Sequence, residues 1–458
     1  MSSQHTQHSD TSLKRAGLIS LDALRTAVEG NEISTVMVAV PDMLGRLQGK
    51  RLAANLFLDR IASGTRVSEA CAYILATDVD MAPLNGFALT GWEQGFQDIG
   101  FVPDLKTLRA LPHLPGTALV HCEAVYPDGA PVDVAPRYML RTQLDRLAEL
   151  GLEARVGLES EFLLCKGEQP VVPHNLDYAL SHPPLLADFF RYLEEALHHS
   201  GTPVEAVKTE GAPGQVEVTF PYGPALEACD AYTVYKQVVR HLAQRQGMTA
   251  TFMSAPFTGM CSGLHLHLSL WQDEAPAFAT TSRTQLPTDA MGHSIAGLLS
   301  GMPHLAPLYA PTPNSYKRYA AAPHTFAPQF MNWGIDNRGC AVRVTGHGDG
   351  THLEIRLPGA DANPYLALAA CLASVVHGLT EKLNPPAPCL GDAYDDRQSL
   401  PVRRDLSEAL AYFDGSSFAA WALGPDVVQH YAHAAKAEIA QHRGQVTEVE
   451  RERGFDRA

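Results

Sequence analysis

One short stretch of the chain alternates polar and apolar residues so regularly that it predicts a strand with two different faces. In CSGLHLHLSLW, residues 261 to 271, Leu264, Leu266 and Leu268 alternate with His265 and His267. Successive side chains of a strand point to opposite faces, so the leucines predict a core face. Three interpretations of the histidine face stay open: metal ligands, phosphate contacts, or polar residues on the exposed side of an antiparallel sheet.

Glutamates repeat this spacing elsewhere and predict further strands with one charged face. They are Glu159 and Glu161 in VGLESEFLL, Glu210 and Glu217 in KTEGAPGQVEVTF, and Glu354 in HLEIRLPGADANPY. A turn at Gly-Ala-Pro-Gly can fold the second pair of glutamates back toward one another. Five carboxylates beside one histidine are hard oxygen donors, which suit Mg²⁺ or Mn²⁺ better than zinc. Each pair alone also fits a solvated sheet face, but together they predict a band of charge on a concave sheet.

Arginines accompany these acids along the chain. They are Arg318 in NSYKR, Arg338 and Arg343 in DNRGCAVRV, and Arg356 in LEIRLPG. Guanidinium groups bind carboxylate and phosphate oxygens bidentately, and they neutralise charge during phosphoryl transfer. Surface ion pairs are the alternative interpretation of the same residues. Hard metal ligands together with arginines indicate a phosphate-bearing substrate.

Composition excludes several classes of protein. The formal charge of −15 argues against a nucleic-acid-binding protein and fits an ordinary enzyme. The longest apolar runs are too short for a membrane span, so no membrane partner is expected. The eight cysteines occur singly, without CxxC pairs, which favours a reducing cytoplasm.

The order of predicted elements indicates an α+β protein with two domains. Residues 1–17 predict a disordered polar tail, residues 18–115 a small N-terminal domain, and residues 116–458 a larger domain. A helix begins after Ser20 and ends at Gly30, and a strand, a turn at Pro41 and a second strand follow. The proline-punctuated stretch FVPDLKTLRALPHLPG predicts the exit from the first domain.

The charged motifs occur in a familiar order. GLESEF, TEGAPGQVE, SGLHLHLSL, NSYKR, DNRGCAVRV and LEIRLPGADANPYLALAA resemble, in order and approximate spacing, those of the glutamine synthetase family. The similarity runs from PDMLGRLQGKR to the final helices. It implies an N-terminal β-grasp domain, a C-terminal catalytic domain with a curved antiparallel sheet, and a homo-oligomer. The oligomer expected from the resemblance is a dodecamer of two stacked hexameric rings, with active sites between neighbouring subunits.

The resemblance also implies a role for each motif residue. One metal is expected on Glu161, Glu210 and Glu217, and a second on Glu159, His265 and Glu354. Glutamate contacts are expected from Gly263, Arg318 and Arg356, and ATP contacts from His267, Ser269, Arg338 and Arg343, with Arg318 and Arg338 also catalytic. The implied reaction uses ATP and Mg²⁺ or Mn²⁺ to phosphorylate the γ-carboxylate of L-glutamate, after which an amine attacks the acyl phosphate.

Departures from the family pattern concern the amine site. Ammonia-using members carry a glutamate after NSYKR, whereas YAAAPHTFAP, residues 319 to 328, contains no acid. Three alanines leave room there, while His324 and Phe326 supply a base and an apolar surface. We therefore expect a γ-glutamylamine synthetase that acts on a small primary amine. The alternatives are an ammonia-dependent glutamine synthetase, with Asp78 or Asp80 supplying the missing acid, and a non-catalytic relative.

Overall fold

A six-stranded sheet organises the N-terminal part of the chain. The computed structural model describes residues 17–64, 66–279, 287–320 and 325–458, so nearly all of the predicted tail lies outside it. The elements of this part are α1 (Leu21–Glu29), β1 (Thr35–Pro41), β2 (Leu47–Ala53), α2 (Ala54–Ser63), β3 (Ser68–Cys71), β4 (Asp98–Pro103), β5 (Arg109–Ala110) and β6 (Thr117–Val125). The strand order is β2-β1-β6-β4-β3, with β5 also paired to β6.

Strand β6 begins just after the predicted domain boundary at residue 115. This strand lies parallel to β1 and antiparallel to β4, so it is a central strand of the N-terminal sheet. The predicted division after residue 115 separates it from that sheet. The prolines before β6 indicated an exit from the domain, but they mark only the turn that brings the chain back.

A second, eleven-stranded sheet forms the centre of the larger domain. Its seven principal strands are β7 (Glu153–Lys166), β9 (Ala206–Thr209), β10 (Gln215–Thr219), β13 (Leu264–Gln272), β15 (Trp333–Ile335), β16 (Val342–Thr345) and β17 (His352–Ile355). They follow the order β15-β16-β17-β13-β7-β10-β9, and these pairs are antiparallel except β15 with β16. Short strands at the margins are β8 (Gln169–Pro170), β11 (Gly223–Pro224), β12 (Thr249–Thr251) and β14 (Ala275–Pro276).

Helices cover the apolar face of this sheet and form the end of the chain. They are α3 (Pro136–Ala148), α4 (Pro184–His199), α5 (Ala225–Arg245), α6 (Asp289–Gly301), α7 (Ala306–Tyr309), α8 (Lys317–Ala320), α9 (Pro364–Thr380), α10 (Leu406–Phe413), α11 (Ser417–Leu423), α12 (Pro425–Arg443) and α13 (Glu448–Gly454). Leu264, Leu266 and Leu268 are fully buried in one continuous core, as their spacing predicts. The α+β class and the curved sheet are confirmed.

Buried polar contacts fix the two parts against each other. Arg137 on α3 pairs with Asp230 of α5 at 3.0 Å and with Asp104 of the N-terminal unit at 2.6 Å. The amide of Asn363 donates to the Asp42 carbonyl at 3.0 Å. A buried charge needs such partners, because an unpaired one is costly. In the described ranges, no helix has the length and apolar character needed to cross a membrane.

Candidate active site

The acidic band lies where three neighbouring strands meet. Strand pairing places His265 opposite Glu159 and Glu217 opposite Glu161, so the predicted faces coincide. The turn between β9 and β10 carries Glu210, whose backbone N–H donates to the Gln215 carbonyl at 3.0 Å. Oxygens of Glu161, Glu210 and Glu217 lie within 4.8 Å of one another. The three residues assigned to one metal by resemblance therefore converge on one point.

The second expected metal group also converges, with one addition. His265 Nδ1 lies 2.7 Å from Glu159 Oε1 and 3.5 Å from Glu354 Oε1, so this nitrogen faces both carboxylates. Ligand atoms of Glu159, His267 and Glu354 likewise lie within 4.8 Å of one another. The structure thus places His267, expected only as a nucleotide contact, among the candidate metal ligands as well.

A histidine that sequence reasoning did not select controls the proton on His267. His352 Nδ1 lies 2.7 Å from the Gly350 carbonyl, which can only accept, so this nitrogen donates. Burial lowers the pKa of His352, and in the neutral ring Nε2 is then an acceptor for His267 Nδ1 at 2.9 Å. His267 Nε2 faces Glu159 Oε2 at 3.5 Å. His352 therefore orients the His267 ring toward a glutamate that is expected to bind metal.

The electrostatics of the band also favour a cation. Burial, followed by the charges of Glu159 and other glutamates, raises the pKa of Glu217 to about 10. Burial alone would raise the pKa of Glu159, but hydrogen bonds to His265 and His267 outweigh it and hold that pKa well below its ordinary value. Crowded carboxylates resist ionising together, and a divalent cation removes that conflict. The donor set of carboxylates and imidazole fits Mg²⁺ or Mn²⁺.

Lys208 lies inside this acidic group and was also missed. It is directly opposite Glu217 in the pairing of β9 with β10. Its ammonium contacts Glu210, lies 3.4 Å from Glu217 Oε1, and sits 4.5 Å from the ring of Tyr178. The alternation in KTEG already puts Lys208 and Glu210 on one strand face, so the signal was present in the sequence.

The arginines separate into a buried group and an exposed one. Arg343 Nη1 pairs with Glu354 Oε2 at 2.8 Å, and Arg356 pairs with the other oxygen of Glu354. Arg318 is 2% exposed and donates to the Arg356 and Leu357 carbonyls at 3.2 Å. Arg338 is exposed in the turn between β15 and β16. Three of the four arginines thus border the acidic band, and the fourth is exposed to solvent.

Gly263 is required by close packing at the same place. A Cβ atom there would lie 2.8 Å from Arg318 Nη2 and 2.9 Å from His265 Nε2. Its backbone N–H donates to Glu161 Oε2 at 2.8 Å. Any side chain at residue 263 would push apart groups expected to bind metal and glutamate.

Ser269 lies at the other end of β13, beside an aromatic surface. Trp271 Nε1 donates to its hydroxyl at 2.9 Å, and the Arg155 guanidinium stacks 3.9 Å from the Trp271 ring. The Tyr222 ring is nearly parallel to that of Trp271, with the two ring centroids 6.4 Å apart. A flat aromatic and guanidinium surface suits a nucleobase. Trp271 was part of the motif, but the stacking partners come from distant segments and were not predicted.

Residues expected at the amine site are described only in part. Phe326 is 58% exposed, whereas Ala321, Ala322 and His324 lie outside the described residues. Asp78 accepts a hydrogen bond from Gln441 on α12 at 2.9 Å, so within this chain it faces the C-terminal helices.

A sheet that gathers carboxylates, histidines and arginines beside a stacking surface defines an enzyme that handles phosphates with divalent cations. Residues 133–454 match the family model of the glutamine synthetase catalytic domain. The chain belongs to the glutamine synthetase family, and it is an ATP-dependent carbon–nitrogen ligase. The predicted family, fold class and enzyme class are thereby confirmed.

Individual proteins of the family are similar to this chain over nearly its whole length. The chain is 39% identical to γ-glutamylethanolamide synthetase GlnA4 of Streptomyces coelicolor, over 96% of each chain. It is 32% identical to a glutamate–isopropylamine ligase of a Pseudomonas species, over 94% of this chain and 97% of the relative. Among solved structures, a GmaS complex with ADP superposes with a TM-score of 0.82 at 26% identity, covering 94% and 99% of the two chains.

Proposed function

We propose that this chain joins the γ-carboxylate of L-glutamate to a small primary amine, with ATP forming a γ-glutamyl phosphate intermediate. The single observation that carries the choice of amine is the acid-free segment YAAAPHTFAP beside the buried Arg318. Two relatives, named γ-glutamylethanolamide synthetase and glutamate–isopropylamine ligase, support it.

In this proposal the acidic band holds the metals and the arginines hold the charged substrates. Glu161, Glu210 and Glu217 bind one cation, which is Mg²⁺ or Mn²⁺, and Glu159, His265 and Glu354 bind the other. When bound, the cations would neutralise phosphate oxygens and so reduce repulsion between ATP and the attacking carboxylate. Transfer of the phosphate to the γ-carboxylate makes its carbon reactive, since a free carboxylate resists attack by amines.

Four arginines, three of them buried, complete the substrate contacts. Arg318 and Arg356 are expected to hold glutamate, because the Arg318 guanidinium lies beside Gly263 and donates to the Arg356 carbonyl. Arg343 and the exposed Arg338 are expected at the ATP phosphates, together with His267, and Ser269 lies near the nucleobase surface. Bidentate guanidinium contacts both orient these anions and neutralise their charge.

The acceptor amine enters mostly protonated at neutral pH, and it must lose a proton before it attacks. A fixed acid helps an enzyme to attract ammonium, and the sequence supplies none between residues 319 and 328. Phe326 instead offers an exposed aromatic surface to an alkyl chain. His324 is the candidate base, which we assign from sequence alone.

The assembly and location are also proposals. We infer a homo-oligomer, a dodecamer of two stacked hexameric rings, supported by membership of the family. Trp92 of the N-terminal unit is 81% exposed, which suits a residue that packs on a neighbouring subunit. Sedimentation velocity should show a large closed particle, and an active monomer would contradict the assembly. A cytoplasmic location is inferred from the eight unpaired cysteines.

An amine panel tests the proposed reaction. ATP-dependent phosphate release should be measured with glutamate plus ammonium, ethanolamine, other monoamines or polyamines, in the parent and in Phe326→Glu. We expect ammonium to be a poor acceptor for the parent and a better one for Phe326→Glu. Phe326→Gln is the matched control, because it removes the ring without adding charge. Equal improvement in both variants would refute the role of the missing acid, and preference of the parent for ammonium would refute the proposed substrate.

A further inference from the structure

A cavity of about 540 Å³ borders the start of the segment expected at the amine site, and three arginines line it. Its lining combines Tyr316, Tyr319, Ala320 and Phe330 with several residues of the segment 397–404. The Phe330 backbone pairs with Pro401 at its base. In the described part of the chain, its lining contains none of the residues assigned to metal, glutamate or ATP.

Arg403 is the buried anchor of this cavity. Its side chain is 4% exposed, stacks 3.3 Å from the Tyr412 ring, and pairs through Nη1 with Glu408 Oε1 at 3.3 Å. Its Nε and Nη2 have no hydrogen-bond partner among the described residues, and neither has the Tyr316 hydroxyl. Buried donors are nearly always satisfied in proteins, so these groups indicate an acceptor that the chain itself does not supply.

The mouth of the cavity adds charge and apolar surface. Arg404 is exposed, and Arg397 is 79% exposed and lies 5.9 Å from the ring of Phe330. The nearest ion pair of Arg397, with Asp395 at 4.0 Å, joins two exposed side chains and is therefore weak. These guanidinium groups are available to a ligand, while Tyr319 and Phe330 offer it aromatic contact.

We propose that this cavity binds an oxyanion, a carboxylate or a phosphate, attached to a small apolar body. Arg403 holds the oxyanion, Arg397 and Arg404 close over it at the mouth, and the aromatic wall packs on the apolar part. Guanidinium groups recognise both oxyanions through paired hydrogen bonds, so the site chemistry is shared by the two sources. The proposal rests on the cavity alone and does not depend on which amine the enzyme uses.

Calorimetric titration of the full chain tests the site. The probes are inorganic phosphate and succinate, and KCl holds the ionic strength constant. We expect at least one probe to bind saturably, and Arg397→Gln/Arg404→Gln to weaken that binding by about tenfold or more. The matched control is Arg25→Gln/Arg245→Gln, which removes two exposed arginines outside the cavity and should bind as the parent does.

The probes identify the class of ligand. Tighter binding of phosphate supports a phosphate-bearing ligand, and tighter binding of succinate supports a carboxylate. Phosphate that binds at the active site should still bind to the double variant. Only the phosphate binding that this variant loses is therefore assigned to the cavity. Arg403→Lys should also weaken binding. If Arg403→Lys fails to fold, the result for Arg397→Gln/Arg404→Gln alone tests the proposal. Absence of saturable binding, or full binding by Arg397→Gln/Arg404→Gln, would overturn the proposal.

Discussion

Replacing Glu217 by glutamine should stabilise the protein when no metal is bound. The side chain is 9% exposed and faces Glu159, Glu161 and Glu210, and burial with their charges raises its pKa to about 10. At pH 7 the unfolded carboxyl, with its ordinary pKa of 4.5, is ionised, so folding must add a proton to it. That uptake costs about 3 kcal/mol at pH 7, and an amide avoids it.

The sign of the pH dependence follows from the raised pKa. Destabilisation by Glu217 begins above its unfolded pKa of 4.5 and grows until the folded pKa of about 10. The parent should therefore lose about 1.4 kcal/mol of stability per pH unit from this group between about pH 6 and about pH 8. The variant Glu217→Gln should lose none from this source, so the difference between the two proteins widens with pH.

Urea unfolding in excess chelator, at equal protein concentration, measures this difference. Glu195→Gln removes an exposed carboxylate from α4 and is the matched control. Added Mg²⁺ or Mn²⁺ should then stabilise the parent more than Glu217→Gln, because a ligand that binds only the folded state stabilises it. Lower stability of Glu217→Gln in chelator, or equal stabilisation of both proteins by metal, would refute the reasoning.

Three further changes test other contacts. Burial lowers the pKa of His430 to about 4. Between pH 7 and pH 5 the parent should therefore lose about 2 kcal/mol of unfolding free energy, whereas His430→Gln should not. Identical pH profiles of the two proteins would contradict this. Lys208→Met removes a cation from the acidic band and should tighten Mn²⁺ binding by about tenfold in calorimetry, whereas weaker binding would show that the lysine assists the metal. His352→Phe removes the acceptor for His267 and should weaken Mn²⁺ binding by about tenfold, which an unchanged affinity would disprove.

Alternation along single strands was enough to predict the faces of the site. The leucines of β13 are buried and its histidines face the glutamates of β7, as the period of two requires. Lys208 obeys the same period, but sequence reasoning followed acids and overlooked a base among them. The order of the motifs along the chain then indicated the family, which the pattern of any single strand does not identify.

Contacts between distant segments account for what was not predicted. His352 reaches His267 across 85 residues of sequence, and this pairing depends on the register of β13 with β17. The parallel pairing of β6 with β1 spans a similar distance, so local turn signals do not display it. Register is set by the packing of whole strands, and a single sequence does not display it.

The measurement closest to the central claim is a competition between two amines in one reaction. The protein should be incubated with ATP, Mg²⁺, L-glutamate and equal concentrations of ammonium and ethanolamine, and the products separated and weighed by mass spectrometry. γ-Glutamylethanolamide as the main product, absent without ATP, is the predicted result. Glutamine as the main product, or neither product in a protein that binds metal and ATP, would contradict the account.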